Sequence, residues 1–260
     1  MADGGARPVR KVEGQNTLLS RTMHSIQYNE IRDEFTVPLP LSQAIVTFRG
    51  DADGNAAPLR VIQGPKSRIG YIQRLALDAV HNEIFVPLGD TVLVFPADGN
   101  GDVPPIRELS GPDVGFGGSR QGGGTGNLMV DPVNNVLVVS VGGRLLIHNR
   151  TAEGNAKPLR AIGGPKSGMM GPTGPFAVYP PKGWIILGQD GDAGRTQGSG
   201  YIAVWNINDN GDVPPKWKIG GPGGPFLEPR GVTLNPKHKE IIASDKRLNA
   251  VMTFYFPEMF

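Results

Sequence analysis

Four turns of this 260-residue chain gather oxygen-bearing side chains at close spacing: Asp51-Ala52-Asp53-Gly54-Asn55, Asp98-Gly99-Asn100-Gly101-Asp102, Glu153-Gly154-Asn155 and Asp209-Asn210-Gly211-Asp212. A D-x-D-G-N string matches the opening of a calcium loop, because a hard cation needs several clustered oxygens. The bidentate Glu that would close a twelve-residue loop is missing. Asn-Gly and Asp-Gly pairs also supply the positive φ of tight turns. The turn recurs from repeat to repeat, which favours geometry over metal, and no cofactor is expected.

The other reactive side chains are scattered. The four histidines include no H-x-x-x-H pair, and with no cysteine in the chain no thiolate site of any kind can form. His148 aligns with Phe48, Phe95, Trp205 and Phe254, so it is expected in an aromatic packing column. His81 and His238 fall in turns, and His24 precedes a strand, where it is placed to face the mouth of a channel. Arg10, Arg60, Arg107 and Arg160 recur at one position of a repeat, so structural roles are expected, with stems on apolar surface and heads in water.

Two loops break the repeat. Residues 111–126 contain eight glycines in sixteen, and residues 189–200 contain four in twelve. Neither continues into the Gly-Lys-Ser/Thr of a phosphate loop. Excess glycine lets backbone N–H groups converge on an anion or a peptide. The candidate binding residues are Arg120, Gln121, Asp190, Asp192, Arg195, Arg230 and His24, with Lys66, Lys166 and Lys246 around them. No catalytic residue and no metal ligand is assigned.

The elements that must position these loops are short. A Pro-apolar-Arg unit, then an apolar pair and Gly, starts at Pro8, Pro58, Pro105 and Pro158, and a degenerate copy starts at Pro215. The spacings are 50, 47, 53 and 57 residues, and the spacing from Pro215 through Phe260 back to Pro8 is 53. A closed ring predicts that match, whereas an open solenoid does not. Between the copies lie apolar segments of four to six residues, bounded by Gly, Pro, Asn and Asp, which is the signature of strands. Four short strands per repeat of about 50 residues is the blade of a β-propeller. The expected fold is therefore all-β: a single five-bladed β-propeller over residues 1–260, with four-stranded antiparallel blades. Its repeats are about 2–51, 52–97, 98–151, 152–208 and 209–260. The chain opens on a last strand and closes on three first ones, so Pro8 to Gly14 is expected to complete the C-terminal blade by pairing with Ala250 to Phe254.

Lys plus Arg is 26 against Asp plus Glu 24, a net charge of +2 that excludes a dedicated nucleic-acid binder with a strong general field. No apolar run reaches the eighteen residues of a membrane span, and the first residues hold no apolar core of a signal peptide. A soluble protein is expected, secreted or periplasmic if a signal peptide has been removed.

The Asp78 to Val86, Val92 to Phe95 and Ala52 to Ile62 runs resemble the bacterial repeat propellers grouped as NHL, YVTN and SMP-30-like. The resemblance implies the propeller fold over nearly the whole chain and says little of function, because those families include scaffolds, sensors, lyases and lactonases. Most relatives have six or seven blades, so five is a departure.

The leading expectation is a non-enzymatic binding or scaffold protein that takes a protein, glycan or anionic partner on its loop-rich face. A metal-dependent SMP-30-like hydrolase or lactonase is the alternative implied by the resemblance. It would need Glu, Asn and Asp converging from several first strands, and only Asn127 and His24 are candidates there. A lyase, for which His24 would be the basic group, and a structural subunit of a larger assembly also stay open. The last has an apolar tail, Phe254 to Phe260, which serves either as an interface or as cover for the closing blade.

Overall fold

The computed structural model describes residues 7–117, 125–169, 176–190 and 198–260. Apart from five 3-10 turns, the regular structure of the described residues is strand, in five antiparallel sheets that follow chain order. The first sheet holds β1 (Gln27–Asn29), β2 (Glu34–Leu39), β3 (Ala44–Arg49) and β4 (Arg60–Ile62); the second holds β5 (Ala76–Asp78), β6 (Glu83–Leu88), β7 (Thr91–Pro96) and β8 (Arg107–Ser110). The third holds β9 (Leu128–Asp131), β10 (Val136–Val141), β11 (Arg144–Asn149) and β12 (Arg160–Ile162); the fourth holds β13 (Phe176–Tyr179), β14 (Trp184–Gln189), β15 (Tyr201–Asn206) and β16 (Trp217–Gly220). The fifth has three strands, β17 (Pro229–Asn235), β18 (Glu240–Asp245) and β19 (Ala250–Tyr255). This is the five-bladed β-propeller fold expected from the repeat. No helix among the described residues is long and apolar enough to cross a membrane.

The chain divides into two compact units, residues 1–88 with 93–107 and residues 89–92 with 108–260. Each has its own cores, built because successive residues of a strand face opposite sides of its sheet. In the first unit Ile45 joins Ile62, Ile84, Leu93 and Phe95 on one side of its sheet, while its neighbour Val46 joins Val37, Leu39 and Phe48 on the other. In the second unit Ile185 and Leu187 pack with Val138, Ile147 and Trp205, while Ile186 packs with Ile202, Val204, Ile241 and Phe226. In sheets one to three the turn from first to second strand is an Asx turn, and in sheets four and five it is a 3-10 turn begun by proline. Asp78 Oδ1 accepts the His81 N–H at 2.9 Å, and Asp131 Oδ1 accepts those of Val133 and Asn134 at 3.0 and 2.9 Å. Asn82 and Asn135 close these turns at φ 59 and 55, a conformation asparagine tolerates.

The Asp/Asn-rich turns join one repeat to the next. Asp212 Oδ1 accepts the N–H groups of Lys166 and Ser167 at 2.7 and 3.1 Å, and Asp102 Oδ1 those of Lys66 and Ser67 at 2.7 and 3.2 Å. Asn155 receives Asp113 N–H at 2.7 Å, and Asn55 receives Asn16 N–H at 2.8 Å. Beside each contact a parallel bridge links the end of a fourth strand to a turn glycine: Ile62 to Gly101, Leu109 to Gly154 and Ile162 to Gly211.

The N-terminal segment corrects one expectation. Pro8 to Gly14 was to pair with Ala250 to Phe254, but the fifth sheet has three strands, and the segment bridges Val12 to Gly54. Glu13 N–H donates to Gly54 O at 2.9 Å and Gly54 N–H to Lys11 O at 2.8 Å. The reason lies in the motif: what each of its four regular copies binds is the following repeat's turn, so Gly54 and Asn55 set the register of residues 11–17.

The repeated arginines correct another. Arg10 is exposed, but the heads of Arg60, Arg107 and Arg160 are not in water. Arg60 pairs with Glu34 and Arg107 NH1 with Glu83 Oε1 at 2.7 Å, all four side chains being largely buried. Sheet three has Val136 where sheets one, two and five begin their second strand with Glu, and there Arg160 Nε donates to Ile207 O at 2.6 Å. Sheet four replaces both charges with aromatics: Trp184 and Trp217 meet edge to face at 5.0 Å. The C-terminal tail covers this pair. Phe256 meets Trp217 at 5.4 Å, Met259 is fully buried, and Met259 O accepts Trp184 Nε1–H at 3.1 Å.

Candidate binding site at the loop ends of the sheets

The antiparallel order places second-to-third-strand turns and sheet-to-sheet connections at one end of each blade. In the second unit the hydrogen bonds show it. Thr125 N–H donates to Gly89 O at 2.7 Å, and Tyr201 OH to Gly168 O at 2.6 Å. Gly200 bridges Phe226 antiparallel, and Gly221 N–H reaches Gly200 O at 2.9 Å. Gly200 is needed for this approach, since a Cβ there would lie 2.7 Å from Pro229 Cδ.

That packing brings Asp190, at the end of β14, to Arg230, the second residue of β17. Burial pushes the Asp190 carboxyl above the usual carboxylate range; Glu228 adds to the rise, and Arg230 and Lys246 oppose it. The platform beneath is rigid. Asp245 is buried, which by itself raises its pKa, but four backbone N–H groups outweigh burial and hold it below the usual range. Its Oδ2 accepts Leu227 and Glu228 N–H at 2.8 and 2.9 Å, and its Oδ1 accepts Arg247 and Leu248 N–H at 3.0 and 2.9 Å. Lys246 Nζ lies 3.0 Å from Glu228 Oε1. Two segments, 227–228 and 247–248, thus hang on one carboxylate, and Arg230 beside them is exposed to solvent.

Of the candidate residues read from sequence, Asp190 and Arg230 are brought together. Arg120, Gln121, Asp192 and Arg195 lie outside the described residues. His24 belongs to the first unit, where it is exposed and its carbonyl accepts Arg74 NH1–H at 3.0 Å. The backbone N–H groups of Lys66 and Lys166 are held by the inter-repeat contacts. Asp245 and Glu228 were missed. A signal existed: Asp245 ends its strand just before Lys246-Arg247, where no other sheet has such a triplet. What it holds, however, is eighteen residues away along the chain.

Of the turn carboxylates weighed as calcium ligands, Asp53, Asp102, Asp209 and Asp212 accept backbone N–H groups, and among the described residues no three His, Asp or Glu side chains come together as a ligand set. His148 is fully buried against Phe116, ring centroids 5.3 Å apart, with neither ring nitrogen hydrogen-bonded. Burial pushes its pKa down to about 4, so it is a neutral core side chain.

No protein-family model matches the sequence. No curated protein matches it either. Among solved structures, hydrazine synthase of Kuenenia stuttgartiensis is similar in fold, with a TM-score of 0.58 at 10% identity. The match covers 94% of this chain and 58% of that one, so this chain spans little more than half of the neighbour's length. A likeness at that identity speaks for the fold alone.

Proposed function

We propose that the chain is a non-enzymatic binding or scaffold β-propeller that takes a protein or glycan partner at the end of the sheets where the Asp190 and Arg230 loops meet. The observation that carries this reading is the Asp245 platform. Four backbone N–H groups on a buried carboxylate preorganise an exposed charged surface, and a rigid surface loses little entropy when a partner docks. Recognition groups on loops held by a rigid scaffold are the usual division of labour in such folds.

The experiment is affinity capture from the native source with the full chain as bait, beside the double variant Asp190→Ala, Arg230→Ala, whose fold is checked by circular dichroism. Hydrogen exchange on the captured complex then maps the covered surface. Loss of the partner in the variant, with protection over residues 221–230, is the expected result. Capture that the variant leaves undiminished, with protection elsewhere, overturns it.

A further inference from the structure

Arg230 is singled out by its backbone. β17 and β18 pair from Gly231 to Asn235 and again at Pro229, and the register shifts between Pro229 and Gly231, leaving Arg230 as the extra residue of a β-bulge. A bulge re-aims a side chain out of the pleat. Arg230 is exposed, and among the described residues no hydrogen bond or ion pair holds its guanidinium. Its charged neighbours are already occupied. Lys246 pairs with Glu228, and Asp245 is saturated by backbone N–H groups. What remains on this platform is one cation, Arg230, beside the Asp190 carboxyl group, half-buried at its flank, whose oxygens accept no hydrogen bond from the described residues.

Resting on the binding reading above, we propose that Arg230 and Asp190 form a recognition site for an acidic polypeptide segment of the partner. The guanidinium takes a Glu or Asp carboxylate side-on through two parallel N–H···O bonds, the geometry in which arginine binds carboxylates best. Asp190 repels a second carboxylate at its own position but accepts a hydrogen bond. The ligand therefore carries an N–H donor next to its carboxylate, as an acidic residue of a peptide does with its backbone amide. The exposure of Arg230 favours a partner that brings its own surface over a small acid, which needs an enclosing cavity to be held.

The test uses the full chain and two fluorescein-labelled probes, hexaglutamate and hexalysine, with fluorescence anisotropy at pH 7 and low salt. Hexaglutamate is expected to bind more tightly than hexalysine, and Arg230→Ala to weaken it by about tenfold or more. Arg230→Lys, which keeps the charge but loses the fork, should fall between. Asp190→Asn should leave hexaglutamate binding as strong or stronger. Equal binding by Arg230→Ala, no binding of hexaglutamate, or preference for hexalysine overturns the acidic-segment site. If the natural partner is still captured by Arg230→Ala alone and maps to the same face, the acidic-segment site fails while the binding reading stands. If capture fails with the wild-type chain as well, the broader reading fails.

Discussion

A Cβ added to Gly164 would lie 2.5 Å from Cγ of Asp212, a residue 48 positions further along the chain. The same approach brings the Asp212 carboxylate onto the N–H groups of Lys166 and Ser167. Gly164 also has φ +132, which L side chains rarely adopt. The glycine ending each Pro-apolar-Arg unit and the acid or amide in the next turn are therefore two halves of one contact, repeated at Gly14 with Asn55 and at Gly111 with Asn155.

Gly164→Ala should destabilise the protein by about 2–3 kcal/mol, through backbone strain and displacement of Asp212. Asp212→Ala should cost about 1–2 kcal/mol by removing the acceptor of an exposed and a part-buried backbone N–H, those of Lys166 and Ser167. The double variant should lose less than the sum, because each change breaks the same contact. Urea unfolding of the four proteins measures this, and strict additivity would show that the two residues act separately.

His148→Phe should stabilise the chain, since the imidazole nitrogens are buried without partners and the aligned residues of the other sheets are aromatic. The pH dependence follows from the lowered pKa. The folded histidine has a pKa of about 4 against 6.5 for the free group. Between these values the unfolded chain binds the extra proton, so stability falls as pH drops from about 6.5 towards 4 and is fully retained above 6.5. The wild-type chain should lose up to about 3 kcal/mol more than His148→Phe across that window. Denaturation of both proteins at pH 7 and pH 4.5 tests it, and parallel losses would place the histidine in a solvated site.

Glu83→Leu and Arg107→Leu, made singly, should each destabilise by about 2–4 kcal/mol, because each removes one end of a largely buried ion pair. Made together they should cost clearly less than the sum, as sheet four tolerates an apolar pair, Trp184 and Trp217, at the corresponding places. Thermal melts of the three variants decide. A double variant worse than the sum would mean that the charges serve a further partner.

Removal of Pro257 to Phe260 should destabilise the second unit by about 2–4 kcal/mol, mostly through loss of the buried Met259 side chain. It should also shift tryptophan emission to longer wavelength, as Trp184 loses the Met259 carbonyl and its cover. An unchanged spectrum and melting temperature would show that the tail is dispensable. Met259→Ala should reproduce part of the loss without shortening the chain.

Strand positions were legible from local pattern because a strand needs only alternation and a boundary. The Glu83–Leu88 and Thr91–Pro96 strands are such runs, bounded by Asn82, by Gly89-Asp90 and by Asp98-Gly99. The fate of the repeated arginines was not legible. Arg60 meets Glu34 across an intervening strand, so the partner depends on register, and one sheet answers the same position with a carbonyl and another with tryptophan.

The amino-acid sequence by itself determined the number of sheets, their strand order and the positions of the turns, because period, spacing and turn residues act over distances of a few residues. Tertiary structure decided what the recurring turn acids touch. Asp102 and Asp212 accept N–H groups from the backbone of the preceding repeat. It likewise decided which charges remain to meet a partner. Nothing local distinguishes Arg230 from Arg247 or Lys246. A β-bulge frees the first, and the Asp245 platform fixes the others, through hydrogen bonds between segments that only folding brings side by side.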